Sequence, residues 1–232
     1  MNRETVKYSF ISSLPVMAGY IVLGIGFGVL LADKGYSSLW AILMSVLIYA
    51  GSLQYVGVGL LSGGASLISA GLMTLMVNAR HLFYGVSMLK RYEKLGGIKK
   101  LYVIFALTDE TYSLVCSTKV PEHVDEKWYY FLVSMMNQSY WVFGSILGAF
   151  LGNALSFDST GIDFSMTALF VVIFVEQWEG KREHIPALSG LGISVVCLLV
   201  FGADYFLIPA MILITTALLL AKKPLERRAQ HD

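Results

Sequence analysis

Eight apolar runs, at 10–31, 39–60, 65–89, 100–118, 128–151, 164–178, 188–202 and 204–221, fill most of the chain and leave only short polar or glycine-containing connections. A helix needs about 20 apolar residues to cross a bilayer, and most of these runs approach that length. Lipid offers no partner to backbone N–H and C=O groups, so runs of this kind must pair their backbone internally as helices. The pattern predicts an all-α, polytopic transmembrane bundle of about 7–8 hydrophobic segments, re-entrant or broken helices among them. It also predicts one integral membrane permease domain over 1–232. Hydrophobic residues make up 56% of the chain and charged residues 14%, against roughly a quarter charged in soluble domains. The excess apolar surface has to face lipid.

Other classes are set aside by what is missing. A formal net charge of +1 provides no basic field for nucleic acid. Cys116 and Cys197 lie in or at the ends of apolar runs and read as packed, reduced thiols, too few for a disulfide framework or a zinc site. Arg3 and Lys7 precede an apolar run that continues to Ala32, too long for a signal core, so the run reads as a retained first span. HExxH, GxSxG, Walker and nucleotide-loop patterns do not occur, and Gly24-Ile25-Gly26-Phe27-Gly28 sits inside an apolar span as a packing element. The reading is a non-enzyme with no cofactor and no metal, energised by an ion gradient or by its solute's own gradient unless a separate ATPase partners it.

Lysine and arginine concentrate on the cytoplasmic side of membrane proteins. If every run crosses, Lys90, Arg91, Lys94, Lys99 and Lys100 oppose the basic residues at both termini. If 65–89 and 164–178 instead enter and return on the same side, the asymmetry is restored, with both termini cytoplasmic. These two runs carry Asn78, Arg80 and His81, and Glu176 and Gln177, which makes them the candidates for irregular, cavity-lining structure. A faint internal similarity aligns Ser45, Gly59 and Gly63 with Ser134, Gly148 and Gly152.

Charged and amide side chains inside apolar runs mark pairing or a solute path, because an ion in lipid costs at least a few kcal/mol. Tyr49, Ser52 and Gln54 offer donors and acceptors within YAGSLQY. Arg80, beside Asn78 and His81, has the planar fork that matches a carboxylate, although an internal acid would satisfy it equally. His81 is a candidate proton carrier or a structural histidine. Asp109 and Glu110 occupy neighbouring faces of a helix; either serves to hold an ammonium, move a proton or neutralise Arg80. Asn137 and Gln138 add polar groups to the fifth run, followed by Gly144, Gly148 and Gly152, a four-residue stripe suited to close helix packing within the chain or with a second subunit.

FGVLLADKG, YAGSLQY, LMVNARHLFYGVSM and ALTDETYSL stand in the order and spacing of AzlC-like proteins, the large subunits of bacterial branched-chain amino acid exporters. The chain resembles that family over roughly residues 8 to 220, with a conservative departure at Leu53-Gln54-Tyr55. The resemblance implies an inner-membrane permease exporting valine, leucine, isoleucine or a related amino acid such as methionine, proton-coupled and working with a small AzlD-like membrane subunit. From the residues, the expected mechanism is alternating access around a cavity formed among the second to fifth runs. Arg80, with Asn78 and Gln54, takes the carboxylate, and Asp109 or Glu110 takes the ammonium or the proton. Export or import of another small zwitterion or carboxylate, an intramembrane enzyme and an assembly subunit are the competing readings.

Overall fold

The computed structural model describes residues 2–154, 184–203 and 205–229, with isolated positions between 161 and 178. Glu176 and Gln177, and with them the expectation of a re-entrant sixth run, lie outside the described residues. The described structure is helical, and contacts divide the chain into two compact units, 1–167 and 168–232.

The first unit starts with α1, Arg3–Asp33. Asn2 caps it by accepting from the Glu4 amide at 3.1 Å, and Glu4 complements the positive helix end. At 1.5 Å per residue α1 is about 46 Å long. Among the described residues it is the one helix that is long and apolar enough to cross a membrane on composition alone. Two further helices, 26 and 29 residues long, are long enough but carry polar groups; they are α4, Leu67–Tyr92, and α7, Glu126–Ala154.

The second and fourth runs are each broken near their middle. The second gives α2, Ser38–Leu47, and α3, Gly51–Ser62. Between them Tyr49 takes a positive φ of 41°, and Ala50 is extended. A non-glycine residue there stores about 1–3 kcal/mol of strain, which the surrounding packing has to hold. The fourth run gives α5, Gly97–Phe105, and α6, Asp109–Ser117. Thr108 caps α6 by accepting from the Thr111 amide at 3.3 Å, and Asp109 and Glu110 fill the acidic first turn.

Contacts fix the direction of each element. Tyr8 packs on Tyr129, Ser13 bonds Tyr140 at 3.1 Å, Gly24 meets Trp141 and Ser145, and Gly152 meets Val29 and Ala32. Contacts that advance together along both helices make α1 and α7 parallel. Lys94, just past α4, pairs with Glu126 at the start of α7 at 2.6 Å, so α4 runs opposite to both. α5 enters from that same end: Lys99 lies over the Trp128 ring and Tyr102 reaches Gln138, deeper in α7. α6 then returns, because Asn137 bonds Thr111 while Arg91 bonds the carbonyl of Val115. At the opposite end Asn153 bonds Ser38, and Ser45 of α2 bonds Gln54 of α3, so α2 and α3 also enter and return together.

The second and fourth runs are therefore re-entrant hairpins entering from opposite ends of the unit. The third run, expected to be re-entrant, is one continuous helix. The repeat is inverted: α1 followed by a hairpin from one end, then α4 followed by a hairpin from the other. α2 and α5 start 59 residues apart, at Ser38 and Gly97, and α3 and α6 start 58 apart, at Gly51 and Asp109. The similarity drawn between Ser45 and Ser134 equated a hairpin with a straight helix and does not follow this repeat. Arg3, Lys7, Lys90, Arg91, Lys94, Lys99, Lys100, Lys119 and Lys127 all fall at one end of the unit, and Lys34 at the other. The basic loop that conflicted with simple threading rejoins the N-terminal cluster because α4 runs the length of the unit whereas the hairpins on either side of it turn back.

α1 and α7 meet backbone to backbone. A Cβ on Gly24 would sit 3.0 Å from the Trp141 carbonyl, and one on Gly144 would sit 2.7 Å from that of Ile21. At Gly28 and Gly148 the facing backbone is closer still. Small residues at this spacing permit such an approach. At the basic end a core of Met88, Tyr92, Leu95, Val103, Val115, Tyr129 and Tyr130 ties α4, both arms of the second hairpin and α7 together. The outer surface is apolar: Val22, Val86 and Phe143 are 67%, 70% and 58% exposed, as lipid-facing positions are.

In the second unit, α8, Ile185–Phe201, and α9, Leu207–Ala229, pack on each other across a turn at Gly202, whose φ of 75° suits glycine. Cys197 is buried in α8 and Cys116 half-buried in α6, both as free thiols.

Candidate functional site

The two hairpin tips meet near the middle of α1, at Tyr20. Its hydroxyl donates to Glu110 Oε2 at 2.6 Å and lies 2.6 Å from Thr108 Oγ1. Thr108 bonds Thr111 at 3.0 Å, and Thr111 accepts from Asn137 Nδ2 at 3.0 Å. One hydrogen-bonded chain thus links α1, the tip of the second hairpin and α7.

Arg80 of α4 joins the two hairpins. Its Nη1 lies 2.9 Å from Asp109 Oδ2, and its Nη2 donates to Ser52 in the first turn of α3. Both ion-pair side chains are mostly buried, 26% and 17% exposed. The two neighbouring acids have separate partners: Asp109 takes the guanidinium and Glu110 takes a tyrosine hydroxyl.

A cavity of about 390 Å³ lies beside this junction, lined by Tyr49 and Ala50 from the first tip, Asn78, His81, Leu82, Gly85 and Leu89 from α4, and Ile104 and Leu107 from α5 and its break. Tyr92 and Lys100 line it at the basic end. Its wall is mainly aliphatic, with Tyr49, Asn78 and His81 as the polar groups at mid-depth. His81 Nδ1 is 3.2 Å from the Asn78 carbonyl, and its ring meets Tyr84 edge-on.

The candidates named from sequence divide into three settings. Tyr49, Asn78 and His81 line the cavity; Arg80, Ser52 and Asp109 form the adjacent ionic junction; Glu110 belongs to the hydroxyl chain. Gln54, fully buried, is away from the cavity wall: it accepts from Trp141 Nε1 at 2.9 Å and donates to Ser45 at 3.2 Å, holding the first hairpin to α7. Gln138 accepts from Tyr102 at 2.7 Å and donates to the Val46 carbonyl at 3.2 Å, so it touches both hairpins. Asn137 is fully buried with Oδ1 lacking a hydrogen-bond partner. Gly144, Gly148 and Gly152 face α1.

Tyr20 was missed from sequence, although a lone tyrosine in the glycine-rich apolar stretch of the first run was a usable signal. The role of Thr108 as a cap was also missed; Thr-Asp-Glu is a helix-start pattern that marks the break. Outside the membrane-spanning stretches, Lys94 and then Tyr130 hydrogen-bond Glu126 and hold its carboxyl below the usual glutamate value.

The sequence profile described as AzlC protein matches residues 15–155, which include both hairpins and the cavity. A Bacillus subtilis protein named branched-chain amino acid transport protein AzlC is 45% identical over 221 residues, covering 95% of this chain and 87% of its own. An uncharacterized membrane protein of Haemophilus influenzae is 45% identical over 209 residues, 90% of this chain and 86% of its own. The inner membrane protein YgaZ of Escherichia coli is 29% identical over 208 residues, 87% and 82% of the two chains. No solved structure matches.

Proposed function

The chain belongs to the AzlC family, and on that premise we propose that it is a carrier that exports branched-chain amino acids from the cytoplasm by proton-coupled alternating access. The observation that carries the reading is the cavity running from the basic end to the junction of two oppositely inserted hairpins. Substrate sites at the broken, inverted repeats of transporters have this placement. A volume of about 390 Å³ falls within the range of small-molecule sites, about 300–1,000 Å³.

The basic end is cytoplasmic by the distribution of lysine and arginine, which makes this conformation inward-facing. Valine, leucine, isoleucine or methionine enters from that end and lays its side chain against Ile48, Leu82, Leu89, Ile104 and Leu107. Its head group meets Asn78, His81 and Tyr49 and exchanges partners with the neighbouring ion pair. The carboxylate takes Arg80 from Asp109, and the ammonium takes the freed Asp109. A zwitterion alone replaces both charges at once, so the exchange leaves no ion unpaired. The family assignment supports a small AzlD-like membrane subunit as partner and a bacterial inner-membrane location.

Labelled leucine in vesicles carrying the full chain, with and without the small subunit, tests this reading under an imposed pH gradient. Efflux that rises with the gradient and competes with valine and isoleucine is expected. Equal efflux from vesicles lacking the chain would overturn it.

A further inference from the structure

Asp109 and Glu110 are adjacent in sequence, yet their surroundings suit them to different work. Asp109 is held 2.9 Å from Arg80. Its charge is already met by that guanidinium, and parting the two would leave mostly buried ions unpaired, a costly state. Glu110 is partly buried and has a hydroxyl as its hydrogen-bond partner, Tyr20 at 2.6 Å.

A hydroxyl donates or accepts as required. With Glu110 ionised, Tyr20 donates to it, and the threonine hydroxyls turn so that Thr108 donates to Tyr20 and Thr111 to Thr108. With Glu110 protonated, each of these bonds reverses: the carboxyl donates to Tyr20, Tyr20 to Thr108, and Thr108 to Thr111, the last in the direction the structure shows. The reversal leaves the Thr111 proton in need of an acceptor. The fully buried Asn137 has one: its Nδ2 donates to Thr111, and its Oδ1 has no partner. Turning the amide over presents that oxygen to Thr111. The chain Tyr20–Thr108–Thr111–Asn137 therefore satisfies either protonation state of one acid, and that acid is Glu110.

Resting on the carrier reading above, we propose that Glu110 takes up and releases the coupling proton, with Tyr20 as the positioning residue that couples it to the hydroxyl chain. The titratable and charged groups around Glu110 are Tyr20 of α1, Tyr49 at the first tip, Arg80 and Tyr84 of α4, and Asp109 beside it. Among these, Arg80 and Asp109 neutralise each other, so a proton arriving at Glu110 changes the net charge of the junction. No bond other than O–H forms or breaks: a proton from the outer solution binds the carboxylate and leaves toward the cytoplasm as substrate moves out.

Vesicles carrying the full-length wild type, Glu110→Gln and Tyr20→Phe separate this from the reading beneath it. Two fluxes are measured: leucine counterflow at equal pH on both sides, and leucine movement driven by a pH gradient. For Glu110→Gln, counterflow within about threefold of wild type and gradient-driven movement reduced at least about tenfold are expected, since glutamine fills the same space without titrating. Tyr20→Phe keeps the acid but removes the donor that favours its ionised form. Its half-maximal pH for gradient-driven flux should rise by about one unit.

A Glu110→Gln protein that still follows the gradient like wild type, or that loses counterflow as completely as gradient-driven flux while remaining folded, overturns the assignment. So does an unchanged pH profile in Tyr20→Phe. Absence of leucine counterflow in the wild type would instead overturn the carrier reading itself.

Discussion

Arg80 and Asp109, 2.9 Å apart, connect a continuous transmembrane helix to the tip of a hairpin that enters and leaves by the basic end. The same guanidinium also holds Ser52 at the tip of the hairpin from the other end. One side chain thus clasps both irregular elements, and any opening between them must break or replace these contacts.

Replacing Arg80 or Asp109 alone should therefore be worse than replacing both. Arg80→Ala and Asp109→Asn each leave one mostly buried charge uncompensated and should each lose about 2 kcal/mol or more. The double variant should recover part of that stability but no leucine transport. Thermal melts in detergent alongside vesicle flux check both halves; additive losses in the double variant would remove the coupling.

The glycine seam makes a second, purely structural prediction. Gly148→Ala drives a Cβ into the backbone of Ile25 and should cost about 1–3 kcal/mol through forced separation of α1 and α7. Gly71→Ala in α4 meets nothing within 4 Å and should gain up to about 1 kcal/mol from helix propensity. Melting temperatures of the two variants should move in opposite directions.

Topology is open to cysteine labelling in intact cells and everted vesicles. Both ends of each hairpin should react from one side: Tyr36 and Gly64 from outside, Gly96 and Lys119 from inside. Lys94 and Lys119 labelling from opposite sides would refute the second hairpin.

Acid should loosen the basic end. Lys94 and Tyr130 stabilise ionised Glu126, whose folded pKa is depressed. Their contribution is full above the ordinary carboxylate value of about 4.3 and is lost as pH falls through the lower folded value. The contact is largely exposed, so the effect should stay below about 1 kcal/mol. Glu126→Gln should melt slightly lower than wild type near neutrality and converge with it in strong acid.

The membrane-spanning class and the helical content were legible in the sequence, because long apolar runs interrupted by single charges suit few environments besides a bilayer. The hairpins were not. Hydropathy reports how long a run is, and 39–60 and 100–118 are long enough to cross, so nothing in their length signals a return. Local chemistry carried that information instead: a helix-start pattern at Thr108-Asp109-Glu110 and Tyr49-Ala50-Gly51 in the middle of the second run. Arg80 and His81 drew attention to the third run as irregular, whereas their polarity reflects what that straight helix faces. Gln54 shows the other limit, since composition places a buried amide in the membrane without telling whether cargo or a tryptophan will occupy it.

A backbone pressed against a backbone leaves no slack. Because α1 and α7 touch at Gly24, Gly28, Gly144 and Gly148 with no side chain between them, neither can slide past the other by even one residue without collision. The pair is a fixed mast, and under the alternating access proposed above the strokes that admit cargo from one face and discharge it at the other fall to the lighter parts rigged around it.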